Sequence, residues 1–185
     1  MRAVSPPSSS ERRRRGRGAS RHPAVWRQTM MRAPAVAVLA LVLLSALPAR
    51  AQEPGLVTHP SPHDVRGTID RFTAAVRQAG WVVFTEIDHA DAARTVGLQL
   101  KPRTVVLFGN PTAGTPAMAA SPTLALDLPL RVLVWQDETG RTQITRSTAD
   151  DLAERVFARH GITVPPPGRV ANEAFLTELV AKATQ

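Results

Sequence analysis

The segment "SPHDVRGTIDRFTAAVRQAG", residues 61–80, limits the possible folds more than any other part of the chain. Its apolar residues recur at steps of three and four, so in a helix they form one stripe: Val65, Ile69, Phe72, Val76 and Ala79. Ser61 is the expected N-cap, Pro62 the first helical residue and Gly80 the stop. Such a stripe must be buried, so the rest of the chain has to supply an apolar surface for it.

Segments rich in β-branched and aromatic residues supply that surface as a sheet. The five strand candidates are residues 55–59, 81–87, 103–109, 130–136 and 141–146. The turn "DETG" joins the last two as a hairpin, and the alternation of the last strand predicts one wet face. We therefore predict an α+β domain in the order β-α-β4-α. It has a mainly antiparallel sheet of about five strands and helices packed on one face.

Further helices follow from cap and stop signals. Asp88 caps a short helix that ends at Gly97, and Ser147 or Thr148 caps another that ends at Gly161. After three prolines, "EAFLTELVAKA" predicts a terminal helix with the stripe Phe175, Leu176, Leu179 and Val180. We divide the chain into a leader (1–51), one α+β domain (52–161), and a proline spacer with an appended C-terminal helix (162–185).

Four short motifs in this order also resemble a known family. They are "IDH" at residues 87–89, "FGNP" at 108–111, "TPAM" at 115–118 and "LDLPL" at 126–130. The region of about residues 55–161 resembles the bacterial and archaeal family called domain of unknown function 302. The resemblance implies a compact β-α-β4-α domain and carries no catalytic role.

The charge distribution separates the leader from the rest of the chain. Up to Ala51 there are ten arginines and one acid, Glu11, whereas the remainder has 13 basic and 14 acidic residues. The basic excess therefore lies in the leader, and we expect no nucleic-acid partner for the near-neutral remainder. The run "ERRRRGRG" predicts a disordered extension, and Met30 or Met31 is an alternative start to Met1.

The leader also has the layout of a secretory signal peptide. A basic flank with Arg27 and Arg32 precedes an apolar run of 13 residues, Ala35 to Leu47, and "ARA" at 49–51 provides a cleavage site. We expect cleavage after Ala51, a periplasmic or secreted protein, and no stable membrane anchor afterwards. The chain has no cysteine, which excludes disulfides, thiolate metal sites and a cysteine nucleophile.

The loop "GNPTAGT", residues 109–115, has the glycine spacing of a phosphate-binding loop. Thr115 stands where that loop needs lysine, and Pro116 replaces the hydroxyl residue, so we do not expect nucleotide binding. We expect Gly109 and Gly114 to adopt positive φ, and Thr115 and Pro116 to begin a short helix. Such a helix start can still bind a small anion.

Three histidines, one methionine and one acid are the other candidates for chemistry. His89, between Asp88 and Asp91, is either a metal or proton-transfer group or simply part of a capped first turn. His59 and His63 form a site with His89 only if the fold gathers all three. Met118 is a metal ligand or a gap-filler in the core. Asp127 lies between apolar residues and needs a partner, either a backbone N–H of the "GNP" loop or Arg131.

These observations favour a binding module over an enzyme, because no catalytic constellation is complete. We expect a small ligand or a metal at one end of neighbouring strands. The candidate residues are Asp88, His89, Gly109, Asn110, Thr115, Met118 and Asp127, with His89 the candidate for a metal. The alternative is a homodimeric interaction module that uses the free face of the sheet. The sequence identifies no cofactor.

Overall fold

Five antiparallel strands form one sheet in the order β1-β5-β4-β3-β2. The computed structural model describes residues 53–185, so the predicted basic extension and signal peptide lie outside the described residues. The strands are β1 (Leu56–Ser61), β2 (Val82–Asp88), β3 (Arg103–Gly109), β4 (Leu130–Gln136) and β5 (Thr142–Ser147). The predicted α+β fold with a mainly antiparallel sheet is confirmed.

The first helix, α1 (Val65–Gln78), begins later than predicted. Its N-cap is Asp64, whose carboxylate accepts a hydrogen bond from the Gly67 N–H at 2.7 Å. The prediction of Ser61 as N-cap is wrong because Ser61 pairs with Thr142 of β5 and stays in an extended strand. Asp is as good a cap as Ser, so the helix begins where the strand pairing ends.

Four more helical segments complete the domain. They are α2 (His89–Thr95), α3 (Pro111–Ala120), α4 (Ala149–Asp151, continuing through Leu152–Phe157 and Ala158–His160) and α5 (Pro166–Thr184). A 3-10 turn, Pro122–Leu126, lies between α3 and β4. Asp88 is the N-cap of α2 and Thr148 that of α4, as predicted. Within residues 53–185, no helix has the length and apolarity to cross a membrane.

The core lies between one face of the sheet and the helices α1 and α5. The α1 stripe contacts the strands through Phe72, whose ring meets that of Phe108 edge-on at 5.1 Å between centroids. From α5, the residues Leu176, Leu179, Val180 and Ala183 are all buried in the same cluster. The C-terminal helix is therefore part of the core, whereas the sequence suggested a helix appended beyond residue 161.

The other face of the sheet carries no helix of the core cluster. Strand register places Val105 and Leu107 of β3 on this face, with Leu133 of β4 and Ile87 of β2. Strand β5 departs from the expected single wet face, because Gln143 is only 8% exposed on this side. The reason is that β5 lies between β1 and β4. In addition, the Gln143 side-chain amide donates a hydrogen bond to the Asp137 carboxylate at 3.0 Å.

Replacing Leu179 by alanine tests the role of α5 in the core. We expect Leu179→Ala to lower the free energy of unfolding by about 2–5 kcal/mol, because it leaves a cavity at a fully buried position. Urea unfolding followed by circular dichroism measures this. Val170→Ala on the same helix is the control, since Val170 is 71% exposed and should change stability by less than about 0.5 kcal/mol. Equal changes in the free energy of unfolding for the two variants would show that α5 does not contribute to the core.

Candidate functional site

The loop after β3 begins α3 earlier than the sequence suggested. Asn110 has extended backbone (φ −112°, ψ 104°), and its side chain accepts a hydrogen bond from the Thr112 N–H at 3.0 Å. The prediction that Thr115 and Pro116 begin the helix is wrong, because Asn110 and Pro111 form an equally good cap and first position five residues earlier. Pro116 lies inside α3 and Thr115 is exposed.

The glycines of this loop allow neighbouring groups to approach the backbone closely; they do not adopt positive φ. Neither Gly109, which ends β3, nor Gly114, inside α3, has positive φ, so that expectation is wrong. A Cβ on Gly109 would lie 3.4 Å from the Phe84 ring and 3.6 Å from Pro129. Gly109 therefore lets Phe84 and the Leu128–Pro129 segment, whose peptide bond is cis, come together at this end of the sheet.

A cavity of about 440 Å³ lies beside this loop. The first wall is the loop and α3, including Gly109, Asn110 and Met118. The remaining walls come from β2, the segment before β4, α4 and α5. Their side chains include Phe84, Leu124, Leu128, Pro129, Leu130, Leu152, Phe157, Asn172 and Leu176. The lining is mainly apolar, and the volume lies within the range of small-molecule sites.

Aromatic packing shapes the floor of this cavity, which will be called the large cavity. Trp81, which lines it, packs against Phe175 of α5 with ring centroids 4.5 Å apart. Trp81 also lies 6.1 Å from Phe108 of the core. The large cavity is thus attached to the hydrophobic core through tilted, contacting aromatic rings, which hold its walls in place.

The structure brings together only some of the residues selected from the sequence. Gly109, Asn110 and Met118 line the large cavity, and Thr115 does not. Asp88 and His89 lie at the other end of the sheet, because antiparallel pairing sets Val82 opposite Gly109 and Asp88 opposite Thr104. Six residues of strand separate the two ends by about 20 Å. The expectation that the "IDH" turn and the "GNP" loop meet is therefore wrong.

The histidines are also far apart. His59 is on β1 and His89 follows β2, which are the two edge strands of a five-stranded sheet, about 19 Å apart by strand spacing. The His63 ring instead makes a hydrogen bond through Nε2 to the main-chain oxygen of Gln185 at 2.8 Å. In the part of the chain from Glu53 to the C-terminus, no three His, Cys, Asp or Glu residues form a group that could hold a metal. The composite histidine site does not form.

Asp127 finds partners that the sequence did not suggest. Its carboxylate binds the Arg159 guanidinium and accepts a hydrogen bond from His160 Nε2 at 2.6 Å. Arg131, the expected partner, donates to the main-chain oxygen of Asp127 at 3.0 Å instead. The two side-chain hydrogen bonds, from Arg159 first and then from His160, hold the pKa of Asp127 below its usual range.

The same histidine binds the 3-10 turn. His160 Nδ1 lies 2.9 Å from Thr123 Oγ1, and Ser121 Oγ donates to the His160 main-chain oxygen at 2.9 Å. Acid, imidazole and hydroxyl follow one another as in acyl-transfer enzymes. Here, however, the carboxylate is already neutralised by Arg159, which weakens its support for an imidazolium. The arrangement is a clamp that fixes the turn behind the large cavity to the end of α4.

A smaller cavity of about 170 Å³ adjoins the large one and is called the inner cavity. Leu130, Leu152 and Leu176 line both cavities, while Arg146 lines the inner one. Arg146 is 6% exposed and pairs with Glu173 of α5 at 2.6 Å. That hydrogen bond lowers the pKa of Glu173. No local signal marks Arg146 in the sequence, because its partner lies 27 residues away.

The features described above define a small α+β domain with an apolar cavity at one end of its sheet. The chain matches the family described as domain of unknown function DUF302 over residues 57–174, and it belongs to that family. The match extends into α5, beyond residue 161, in agreement with the place of this helix in the core.

Similar proteins fall into two groups. The crystal structure of an uncharacterised DUF302 protein from Bacillus stearothermophilus has a TM-score of 0.58 and 16% identity, covering 71% of this chain and 99% of that one. Proteins of Brucella suis and Brucella abortus, both named fluoride-specific ion channel FluC 1, are 43% identical over 101 residues. These residues are 55% of this chain but only 40% and 37% of the two relatives. The first similarity shows the fold alone.

Removing the Asp127 carboxylate tests the clamp. A lowered pKa means that the ionised group adds stability above its unfolded pKa of about 3.9, and this stability is lost as the pH falls through the lower folded value. We therefore expect Asp127→Asn to lower the melting temperature at pH 7 and the difference to shrink below about pH 4. Differential scanning calorimetry across this range measures it.

Asp91→Asn is the matched control for this prediction. Asp91 forms an exposed ion pair with Arg94 on α2, so its removal should leave the melting temperature nearly unchanged. A melting temperature of Asp127→Asn equal to that of the wild type at pH 7 would show that the clamp adds nothing to stability.

Proposed function

We propose that this protein is an exported module that binds a small apolar or amphipathic molecule in the large cavity. The observation that carries the proposal is the cavity itself, about 440 Å³ with mainly apolar walls beside the "FGNP" and "LDLPL" motifs. Sites for small molecules combine such walls with a few polar groups. Asn110 and Asn172 are the polar residues of the lining here.

The choice of a small molecule over a metal follows from the chemistry of the lining. Met118 is the lining side chain with metal affinity, and a thioether without thiolate or imidazole neighbours makes a poor site. His89, the other candidate, is exposed at the far end of the sheet. Export rests on the basic flank, the apolar run and the cleavage motif of the leader. N-terminal sequencing of the secreted protein should begin at Gln52.

In the relatives, a segment similar to this domain is part of a longer chain. In the Brucella proteins, 101 residues similar to this chain make up less than half of each protein, so the module is joined to a longer remainder there. The fluoride transport in their names belongs to those whole proteins.

Filling the large cavity tests the proposal. N-phenyl-1-naphthylamine, a neutral apolar fluorophore, should bind with a rise in fluorescence. We expect Ala117→Phe, on the cavity side of α3, to weaken binding about tenfold or more because the ring occupies the site. Ala119→Phe on the exposed side of the same helix is the control and should bind as the wild type does. The absence of any binding by the wild type would overturn the proposal.

A homodimer remains a second candidate, because the open face of the sheet has an apolar rim. On β2, Val82 and Ile87 are 41% and 43% exposed, next to the partly buried Val105 and Leu107. An apolar patch on a sheet face is typical of protein contacts. Such a contact is compatible with ligand binding, because the large cavity is at the sheet's end.

Introducing a charge on this face tests the dimer. If it forms, sedimentation equilibrium of the wild type gives twice the monomer mass, and Ile87→Lys gives the monomer, since a buried lysine without a partner is unfavourable. Val170→Lys, at an exposed position of α5, should leave the mass unchanged. A wild-type protein that sediments as a monomer at all concentrations would exclude this candidate.

A further inference from the structure

The inner cavity has a polar end that the large cavity lacks. Most of its lining is apolar, including Phe72, Phe108 and Val132, but Arg146 and Asp127 also line it. Leu130, Leu152 and Leu176 line both cavities and form a wall that the two spaces share. A ligand that occupies both spaces therefore has to pass between these leucine side chains, which can change rotamer.

Arg146 has one hydrogen-bond donor that the protein does not use. Its Nη2 binds Glu173 at 2.6 Å and Thr177 at 2.9 Å, and its Nη1 donates to the Ser147 main-chain oxygen at 3.1 Å. The Nε–H, in contrast, is buried and has no partner. Buried donors of charged groups are almost always paired, so an unpaired one in a side chain that lines a cavity points to an acceptor from outside the protein.

The charges around the inner cavity indicate what kind of acceptor fits. Glu173 neutralises Arg146, and Arg159 neutralises Asp127. Arg131, which also lines the cavity but is exposed, donates to a main-chain carbonyl and adds a positive charge that water partly screens. The net charge at the polar end of the inner cavity is therefore slightly positive. This charge favours a carboxylate over a neutral carbonyl oxygen and disfavours a cation.

We propose that the ligand of this domain is an amphiphile with an acceptor oxygen, above all an aliphatic carboxylate. Its chain occupies the large cavity, and its oxygen accepts the hydrogen bond from Arg146 Nε in the inner cavity. This inference rests on the proposed function, because it assumes that the large cavity binds a small molecule. Arg146 then selects for the head of the ligand, while the apolar walls select for its body.

Displacement of N-phenyl-1-naphthylamine by octanoate and by methyl octanoate tests this inference. Arg146→Lys keeps a positive charge opposite Glu173 but removes the Nε–H. We expect both octanoyl compounds to bind about tenfold more weakly to this variant, since a hydrogen bond from a charged group is lost. The affinity for the fluorophore, which has no acceptor oxygen, should stay unchanged. Octanoate should bind the wild type more tightly than its methyl ester.

Arg155→Lys is the matched control, because Arg155 forms an exposed ion pair with Asp151 on α4 and lines neither cavity. Its affinities should equal those of the wild type. If Arg146→Lys binds octanoate as tightly as the wild type does, or loses octanoate and fluorophore in parallel, the role of Nε is overturned while the large cavity stays a binding site. If the fluorophore does not bind the wild type, the proposed function itself fails.

A measurement on the wild type covers the case in which Arg146→Lys does not fold. The Nε–H resonance of Arg146 in a ¹⁵N-edited NMR spectrum should shift when octanoate is added, because a new acceptor changes the shielding of that proton. The Nε–H resonance of Arg155 should not move. An unchanged Arg146 resonance at saturating octanoate would overturn the inference without any substitution.

Discussion

The packing of α1 and α5 on the apolar face of the sheet is the contact on which the rest of the structure depends. Phe72 of α1 meets Phe108 of β3, and α5 adds Leu176, Leu179 and Val180 to the same cluster. Because Leu176 also lines both cavities, the core and the candidate site share a wall. The large cavity is therefore a space that the core leaves open, lined by both Gly109 at the end of β3 and Leu176 of α5, so a shift of α5 changes its shape.

Partly buried hydrogen bonds of charged side chains hold the polar side of this region. The Arg146 and Glu173 pair joins β5 to α5, and the Glu173 carboxylate also accepts the Ala149 N–H at the start of α4 at 2.7 Å. The Asp127 and His160 contact joins the turn before β4 to the end of α4. Buried pairs of this kind add less to stability than to geometry, because desolvation offsets their attraction. Here these two contacts fix the positions of α4 and α5 beside the two cavities.

Much of the fold could be predicted from local patterns, and less of the site. The α1 stripe, the five strands and the hairpin follow from periodicity and turn residues, whereas the N-cap moved to Asp64 because strand pairing holds Ser61. For the site, Gly109, Asn110 and Met118 proved to line one cavity. Asp88 and His89 were grouped with them because they lie where β2 ends. Neighbouring antiparallel strands, however, end at opposite ends of the sheet.

The sequence by itself determined the helices, the strands, the family and the uneven distribution of charge, since these depend on residues a few positions apart or on composition. Only the tertiary structure decided which polar groups meet. Asp127 binds His160, 33 residues away in the sequence, and Arg146 binds Glu173, 27 residues away. Helix and strand periodicity cannot predict contacts at such sequence separations. The physical reason is that a buried charge takes whichever partner the packing of helices on the sheet brings within reach, and that packing is set by the whole apolar core.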